Sequence, residues 1–407
     1  MQNVHVSREV VPGSAWRGAL ADSILRCLGA KASGRSPASP TPGGFDLAFG
    51  ENARFGFLYP VPGDDWEGFP LPLTARSCKA HPGFGAEEGA GTGAKGGHGV
   101  ADTLLDRLRC SLDLATPRRG RCPVCNERLD RRRGLAVRSY RGETRDAYVD
   151  VKVRRKLMLR VGIDRRTETA ADGFLYALDT VVAGDGIGLC YSGTWRGSEE
   201  QFNALRRLMD ACCPAVETGW EVRLGTAKAR GLGKARLTIV PQTDQPLPPV
   251  AERLEAFQRL GPPTGVSPPQ DWLYFALTVR SPLLVRDRAG VPVVPGVPKD
   301  KSGGAALAAY VRHLPSLEYV EAASAVEWEA WDGWSMAWGL PKPLTTAIAP
   351  GSVLVYRAPA KEREMVISFL EEVEEEGLGE RKTEGWGEVV ACDPFHVLFD
   401  VGEEADE

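Results

Sequence analysis

Cys122-Pro-Val-Cys125 is a CxxC knuckle, the spacing that lets two thiolates share one tetrahedral zinc ion. Cys78, His81, His98 and Cys110 lie upstream. The expected centre is a structural zinc held by Cys122, Cys125, Cys78 and either His98 or Cys110. The segment around it is loop-rich and charged, so a metal would supply folding energy that its sparse apolar residues cannot. A redox CxxC wants a thioredoxin-like βαβ context, and none is legible. A catalytic zinc wants an HxE or HExxH pattern, which is absent.

A second stretch could hold a polyanion. Gly225-Thr-Ala-Lys-Ala-Arg-Gly-Leu-Gly-Lys-Ala-Arg236 puts Lys228, Arg230, Lys234 and Arg236 among Gly225, Gly231 and Gly233. Glycine lets a backbone lie against another backbone or a phosphate. A P-loop is excluded, because Lys228 and Ala235 stand where it needs Gly and Ser/Thr. A dinucleotide fingerprint is excluded as well, because it needs Gly where Arg236 stands and a helix where a strand follows. An ordinary glycine-rich hairpin is the bland alternative.

Proton transfer would need a histidine within hydrogen-bond reach of the reacting group. The chain has five: His5, His81, His98, His313 and His396. Zinc accounts for His98, and His313 ends an expected helix. His5, near the first helix, is the candidate general base. No paired-carboxylate or nucleophile motif stands out.

The elements that position these residues come twice. Ser198 to Cys212 has a helical period with capping-box spacing between Ser198 and Gln201; the glycine stretch and the strand Leu237–Val240 follow. Lys361 to Glu376 is again amphipathic, followed by Gly377-Leu-Gly-Glu-Arg-Lys-Thr-Glu-Gly-Trp-Gly387 and the strand Glu388–Ala391. Helix, glycine loop and strand thus close each half, which signals an internal duplication. In the second loop Lys382, Gly385 and Trp386 are the binding candidates, Trp386 for stacking; a core tryptophan is the alternative.

Upstream, Val4–Val11 reads as a strand. Pro12-Gly-Ser-Ala-Trp-Arg-Gly-Ala-Leu20 starts a helix, with Ser14 as N-cap. Gly18 inside it costs about 1 kcal/mol relative to Ala, which a closely passing backbone would explain. Arg17 could meet a phosphate near the helix start, or be solvated. Arg54–Tyr59 and Leu157–Ile163 read as strands, and Val100–Cys110 as a helix. Phe174–Val182 and Ile187–Tyr191 read as a hairpin around Ala183-Gly-Asp-Gly186. Arg165 and Arg166 sit in the polar loop Asp164–Thr169, placed to touch RNA but equally a plain connection. The second half opens with the strand Trp272–Val285 and a helix Gly303–Leu314.

At 407 residues the chain holds two domains. The division is 1–245, with a Cys/His-bearing insertion at about 78–135; a Pro-rich linker, 246–270; a second domain, 271–401; and an acidic tail, 402–407. The fold class is α+β, each half of ferredoxin-like size with its sheet antiparallel and helices on one face. Net charge is −4, but 19 Lys/Arg stand against 7 Asp/Glu from Arg107 to Arg166, and 4 against 16 from Lys361 to the end. The basic run suits a polyanion partner. No apolar run reaches membrane-spanning length and no signal core opens the chain, so the expectation is a cytoplasmic protein with no membrane partner. Nine cysteines in that setting favour metal or free thiols over disulfides.

Taken together, Pro12–Leu20, Gly225–Gly233, Gly377–Gly387, Trp334–Pro343 with Pro350-Gly-Ser352, and Cys78, His98 and Cys122–Cys125 followed by Gly162–Ala170, resemble the CRISPR-associated RAMP superfamily (repeat-associated mysterious proteins). They look most like its two-domain subunit of type III-D effector complexes. The resemblance implies two tandem RRM-like, ferredoxin-like domains binding the 5′ handle of the crRNA. It also implies a subunit that works in an assembly, between a large polymerase-like subunit and a backbone RAMP subunit. Lys228, Arg230, Gly231 and Gly233 carry over as handle-binding by motif position, and so do Arg17, Gly385, Trp386 and Gly387. Two features depart from the pattern. Only eleven residues precede Pro12, so the first strand is abbreviated or truncated. The second loop is acidic around Arg381 and Lys382, which favours protein contact or a local RNA contact. The function expected is a non-catalytic RNA-binding subunit in antiviral defence. The alternatives are a RAMP endoribonuclease processing precursor crRNA and a protein-contact scaffold.

Overall fold

The computed structural model describes residues 4–29, 44–85, 97–112, 120–142, 144–182, 190–225, 227–241, 247–259, 271–287, 290–292, 307, 310–335 and 339–401, with the backbone alone at 171–174 and 229. Most of the expected helix Gly303–Leu314, the turn 183–186, Trp338, the linker from 260 to 270 and the tail 402–407 lie outside these residues.

The architecture is mixed α/β, with strands gathered into eight small sheets among the described residues. The second half has the largest. Its spatial order is Glu318–Tyr319, Val353–Pro359, Trp272–Val279, Val389–Ala391, all antiparallel. Numbered along the chain, the order from the other edge is fourth, first, third, second, and the helix Arg363–Glu376 joins the third to the fourth. That helix buries Val366, Phe369, Leu370 and Val373 against Phe275 and Tyr356. Val250–Arg259, expected as a helical piece within a linker, packs Val250, Leu254 and Phe257 into this same core. So does Leu104–Ser111 from the insertion, through Leu104, Leu105 and Leu108. Apolar periodicity explains why both helices bury these faces; which core receives them was not legible locally.

In the first half, the helix Gly13–Cys27 packs Trp16, Leu20 and Ile24 against Phe55 and against Leu205, Leu208 and Met209 of the helix Glu199–Cys212. The capping box is present: the Ser198 hydroxyl accepts from the Gln201 N–H at 3.2 Å, and the Gln201 side chain accepts from the Ser198 N–H at 2.9 Å.

Several local expectations are corrected. Pro12, not Ser14, is the N-cap, and the helix begins at Gly13. A Cβ at Gly18 would meet nothing within 4 Å, whereas one at Gly13 would lie 1.7 Å from the Phe55 carbonyl oxygen. The backbone crossing is therefore at the helix start. Val4–Val6 is the strand there, parallel to Ala177–Asp179. Val100–Asp102 is a strand that turns into the helix Leu104–Ser111, because the Asp102 carboxylate accepts from the Leu104 N–H at 2.8 Å. Ala170–Val181 pairs not with the segment after 186 but with Arg155–Ile163, so the polar loop with Arg165 and Arg166 is the hairpin tip. Cys190–Ser192 pairs instead with Tyr59–Val61.

Candidate functional site

The metal cluster is assembled by one three-stranded sheet. Ala75–Cys78 is its central strand, flanked by Val100–Asp102 and Leu129–Arg131. Cys78 ends the central strand, His98 comes just before the second, and Cys122 and Cys125 sit in the knuckle before the third. All four ligands thus gather at one end of the sheet. The knuckle is closed by the Asn126 N–H on the Cys122 carbonyl at 2.8 Å, with Asn126 left-handed at φ 59°. The four ligand atoms lie within 4.8 Å of one another. Cys78 Sγ is 3.4 Å from Cys125 Sγ, and His98 Nδ1 is 3.3 Å from Cys125 Sγ and 3.6 Å from Cys122 Sγ. A tetrahedral zinc with ordinary bond lengths sets such edges at about 3.5–3.8 Å, so the donor set fits that ion. His81 stacks on His98 at 4.1 Å without joining the ligands. Cys110, named as a substitute, faces elsewhere on the helix Leu104–Ser111 and is not in the cluster.

The two glycine loops share one backbone. The Leu224 N–H donates to the Gly233 carbonyl at 2.8 Å, and the Leu378 N–H to the Gly387 carbonyl at 2.8 Å. Lys228–Arg230 and Lys382–Glu384 each form one 3-10 turn, closed by Gly231 at φ 81° and Gly385 at φ 80°. A Cβ at Gly233 would lie 1.8 Å from the Leu224 oxygen, and one at Gly387 lies 1.8 Å from the Leu378 oxygen. The two ends of each loop come too close there for any side chain.

Their surroundings differ. The second loop is wedged into the first half: a Cβ at Gly385 would lie 2.4 Å from the Phe55 oxygen, and one at Gly13 lies 2.4 Å from the Glu384 oxygen. Trp386 is a core tryptophan, 3% exposed, edge-on to Trp331 with the Arg381 guanidinium 4.2 Å from its ring centre. It offers no face for stacking. Lys382 is partly buried, and burial, then the nearby Arg54, pull its pKa down. Arg17 donates to the Phe49 carbonyl at 2.8 Å, and burial pulls its pKa down too. Arg54 and Arg196 donate to the Glu374 and Glu375 carbonyls, capping the C-terminus of the helix Arg363–Glu376 from the other half. The second loop is therefore a joint between the halves.

Most of the basic run is engaged internally. Arg131 and Arg133 pair with Glu327, Arg132 with Asp150, Arg138 with Glu67, Arg141 with Asp65 and Arg109 with Asp400. In the first loop Lys228 pairs with Asp22; Lys234 and Arg236 belong to the strand Lys234–Leu237, which starts earlier than the expected Leu237–Val240, and pair with Glu221 and Glu217. Arg230 has no carboxylate partner among the described residues; its guanidinium lies 5.1 Å from the Tyr176 ring centre.

That contact joins the loop to the hairpin of Arg155–Ile163 and Ala170–Val181. Register puts Arg160 opposite Tyr176, Lys156 opposite Thr180, and Met158 opposite Leu178, which His5 flanks from the other side. His5 meets Tyr176 edge-on at 6.3 Å. Among the described residues, the side chains of Lys156, Arg160, Arg165 and Arg166 form no ion pair. This sheet face and tip therefore carry free cations beside an aromatic ring. The opposite face shows Val4, Val6, Leu157, Leu159, Val161 and Leu175, all exposed. Lys156, Arg160 and Tyr176 were missed by sequence reasoning, although Leu157, Leu159, Val161 and Ile163 at every second position mark one aliphatic face of a two-faced strand.

No family model matches the chain, and no curated protein matches it. Among solved structures it is similar to a chain of a type III-B Cmr-beta complex bound to cognate target RNA and AMPPnP, at 14% identity and a TM-score of 0.35, covering 86% of this chain and 79% of that one. It is also similar to a Cas6 product complex, at 18% identity and a TM-score of 0.29, covering 51% of this chain and 79% of that one. Likeness this distant decides neither fold nor function.

Proposed function

We propose that this chain is a non-catalytic RNA-binding subunit of a type III CRISPR effector complex, built from two RAMP-like halves. In this reading it holds the 5′ handle of the crRNA and bridges the large polymerase-like subunit to a backbone RAMP subunit. The observation that carries it is the first glycine loop set against free cations. Arg230 has no acid partner among the described residues and lies over a hairpin bearing Lys156, Arg160, Arg165 and Arg166. Glycines let an RNA backbone approach amide donors, and the cations neutralise its phosphates. The twin loop takes a different role, holding the two halves together. Zinc, in the Cys78, His98, Cys122 and Cys125 site, is a structural ion in this reading.

The experiment is to purify the chain with its neighbouring subunits and sequence the RNA that accompanies it. Repeat-derived fragments with one shared 5′ end, lost on Lys228→Ala/Arg230→Ala, are the expected result. RNA of random ends, or none, overturns the reading and leaves a protein-contact scaffold.

One observation favours a second reading, RNA cleavage: His5 is exposed beside Tyr176, on the face that Arg230 overhangs. A histidine there could take a 2′-hydroxyl proton. Loss of cleavage with retained binding in His5→Ala would establish it, and absence of cleavage by the unmodified complex would dismiss it.

A further inference from the structure

We propose that the sheet face formed by His5, Tyr176 and Arg160, overhung by Arg230, is a stacking platform for an unpaired nucleotide base. The inference rests on the RNA-binding reading above and adds which part of the polymer this face takes.

The argument starts from what the face lacks. Tyr176 is partly exposed and His5 is exposed, so neither ring is used in a core. Both side chains project from one sheet: His5 is paired with Leu178, two residues from Tyr176 along the same strand and on the same face. Arg160 is the direct cross-strand neighbour of Tyr176, and Lys156 follows four residues away on the same face, about 13 Å along the strand. Arg230 arrives from the glycine loop. None of these three cations has an acid partner among the described residues.

Two rings set edge to face, with Arg160 beside Tyr176 and Arg230 over its ring, make poor use of a duplex. In a duplex the base faces are already stacked and only phosphates and groove edges are offered. A single strand offers a free π-face to the rings and phosphates to the cations at once, which is how sequence-tolerant single-strand sites are built. Arg230 would then be held by Tyr176 in the free protein and be available to sandwich the base or to meet its phosphate in the complex. Bases leaving the glycine loop reach this face first, because Arg230 belongs to that loop.

The test uses the full chain with its neighbouring subunits and a set of short single-stranded RNAs, each with 2-aminopurine at a different position. Stacking quenches the label, whereas a purely electrostatic contact does not. The expected result is quenching at one position, lost in Tyr176→Ala with binding weakened by about ten- to a hundredfold, and with an unchanged salt slope. Tyr176→Phe keeps the ring and is expected to keep the quenching, which separates lost stacking from misfolding. Arg160→Ala should weaken binding and flatten the salt slope while quenching persists at saturation. Single-stranded DNA of the same sequence is the second arm: quenching with either sugar supports a platform for any unpaired base, and quenching with RNA alone supports one for ribonucleotides. If Tyr176→Ala binds and quenches as the unmodified protein does while Lys228→Ala/Arg230→Ala loses RNA, the platform is overturned and the RNA-binding reading stands. If a blunt RNA duplex binds as tightly as the single strand, the platform is overturned too. If neither variant changes anything, both readings fail.

Discussion

Arg109 and Asp400 stand 291 positions apart and form a two-pronged ion pair, at 2.6 and 3.3 Å, with both side chains more than nine-tenths buried. Beside it the Val401 N–H donates to the Asp102 carbonyl at 3.2 Å, and the Asp102 N–H to the Phe399 carbonyl at 2.5 Å. The buried His396 lies between Thr278, at 2.8 Å, and Asp102, at 3.3 Å. The end of the described chain is thus bolted onto the insertion. Removing one partner of a buried pair strands the other charge, so Asp400→Ala is expected to cost about 3–5 kcal/mol. Replacing both residues by apolar ones should cost much less. Denaturant unfolding of the single and double variants checks this.

The metal cluster lies at the far end of the strand that carries Asp102. Metal loss should therefore loosen the last described segment as well as the knuckle. The expected outcome of Cys125→Ser, or of chelation, is loss of one bound zinc, a lower Tm and faster proteolysis around Pro394–Val401. Cys110→Ser should keep full zinc content, because Cys110 is outside the cluster. Equal zinc loss in both variants would refute the ligand set.

Glycine is required at some loop positions and wasteful at others. Gly233→Ala and Gly387→Ala each force a Cβ to within 1.8 Å of a carbonyl oxygen, at φ 80° and 78°. Each should destabilise by roughly 2 kcal/mol or more. Gly18→Ala enters open space inside a helix and should stabilise by about 0.5–1 kcal/mol. Thermal melts of the three variants settle the contrast.

Glu388, at the joint between the halves, has its pKa pushed up to about 7, by burial first and by Glu67; Arg196 and a Thr194 hydrogen bond oppose the rise. Its unfolded value is that of an ordinary glutamate, near 4.3. Between those two values the folded state binds the extra proton, so stability falls as pH rises from about 4.5 to 7 and levels off above that. The loss is at most about 4 kcal/mol, and smaller where solvent reaches the carboxyl. Glu388→Gln should flatten this part of the stability profile and be more stable than the unmodified protein at pH above about 7.

The aliphatic face of the long hairpin leaves Leu159 at 68% exposed. Leu159→Lys should change stability by less than about 0.5 kcal/mol and reduce self-association of the isolated chain. Sedimentation velocity, together with a melt, reads both effects.

Local chemistry was legible without a structure. Thiolate and imidazole types at CxxC spacing are a short-range signal, and Cys78, His98, Cys122 and Cys125 come together as that signal implied. So are glycines at positive φ, since a backbone shape that only glycine tolerates leaves its mark residue by residue in both loops. The capping box at Ser198 and Gln201 is equally local. What the tertiary structure alone decided is which of these groups remain available. Arg131, Arg133 and Arg138 look like a polyanion surface until Glu327 and Glu67 arrive from far along the chain to neutralise them. Trp386 and Arg230 occupy matching loops, yet one is buried at a joint and the other lies over Tyr176 with no acid partner among the described residues. Residue types and spacing determine what a segment can do. Long-range packing determines whether it is left free to do it, because a partner as far as 196 residues away leaves no periodic mark in the segment it covers.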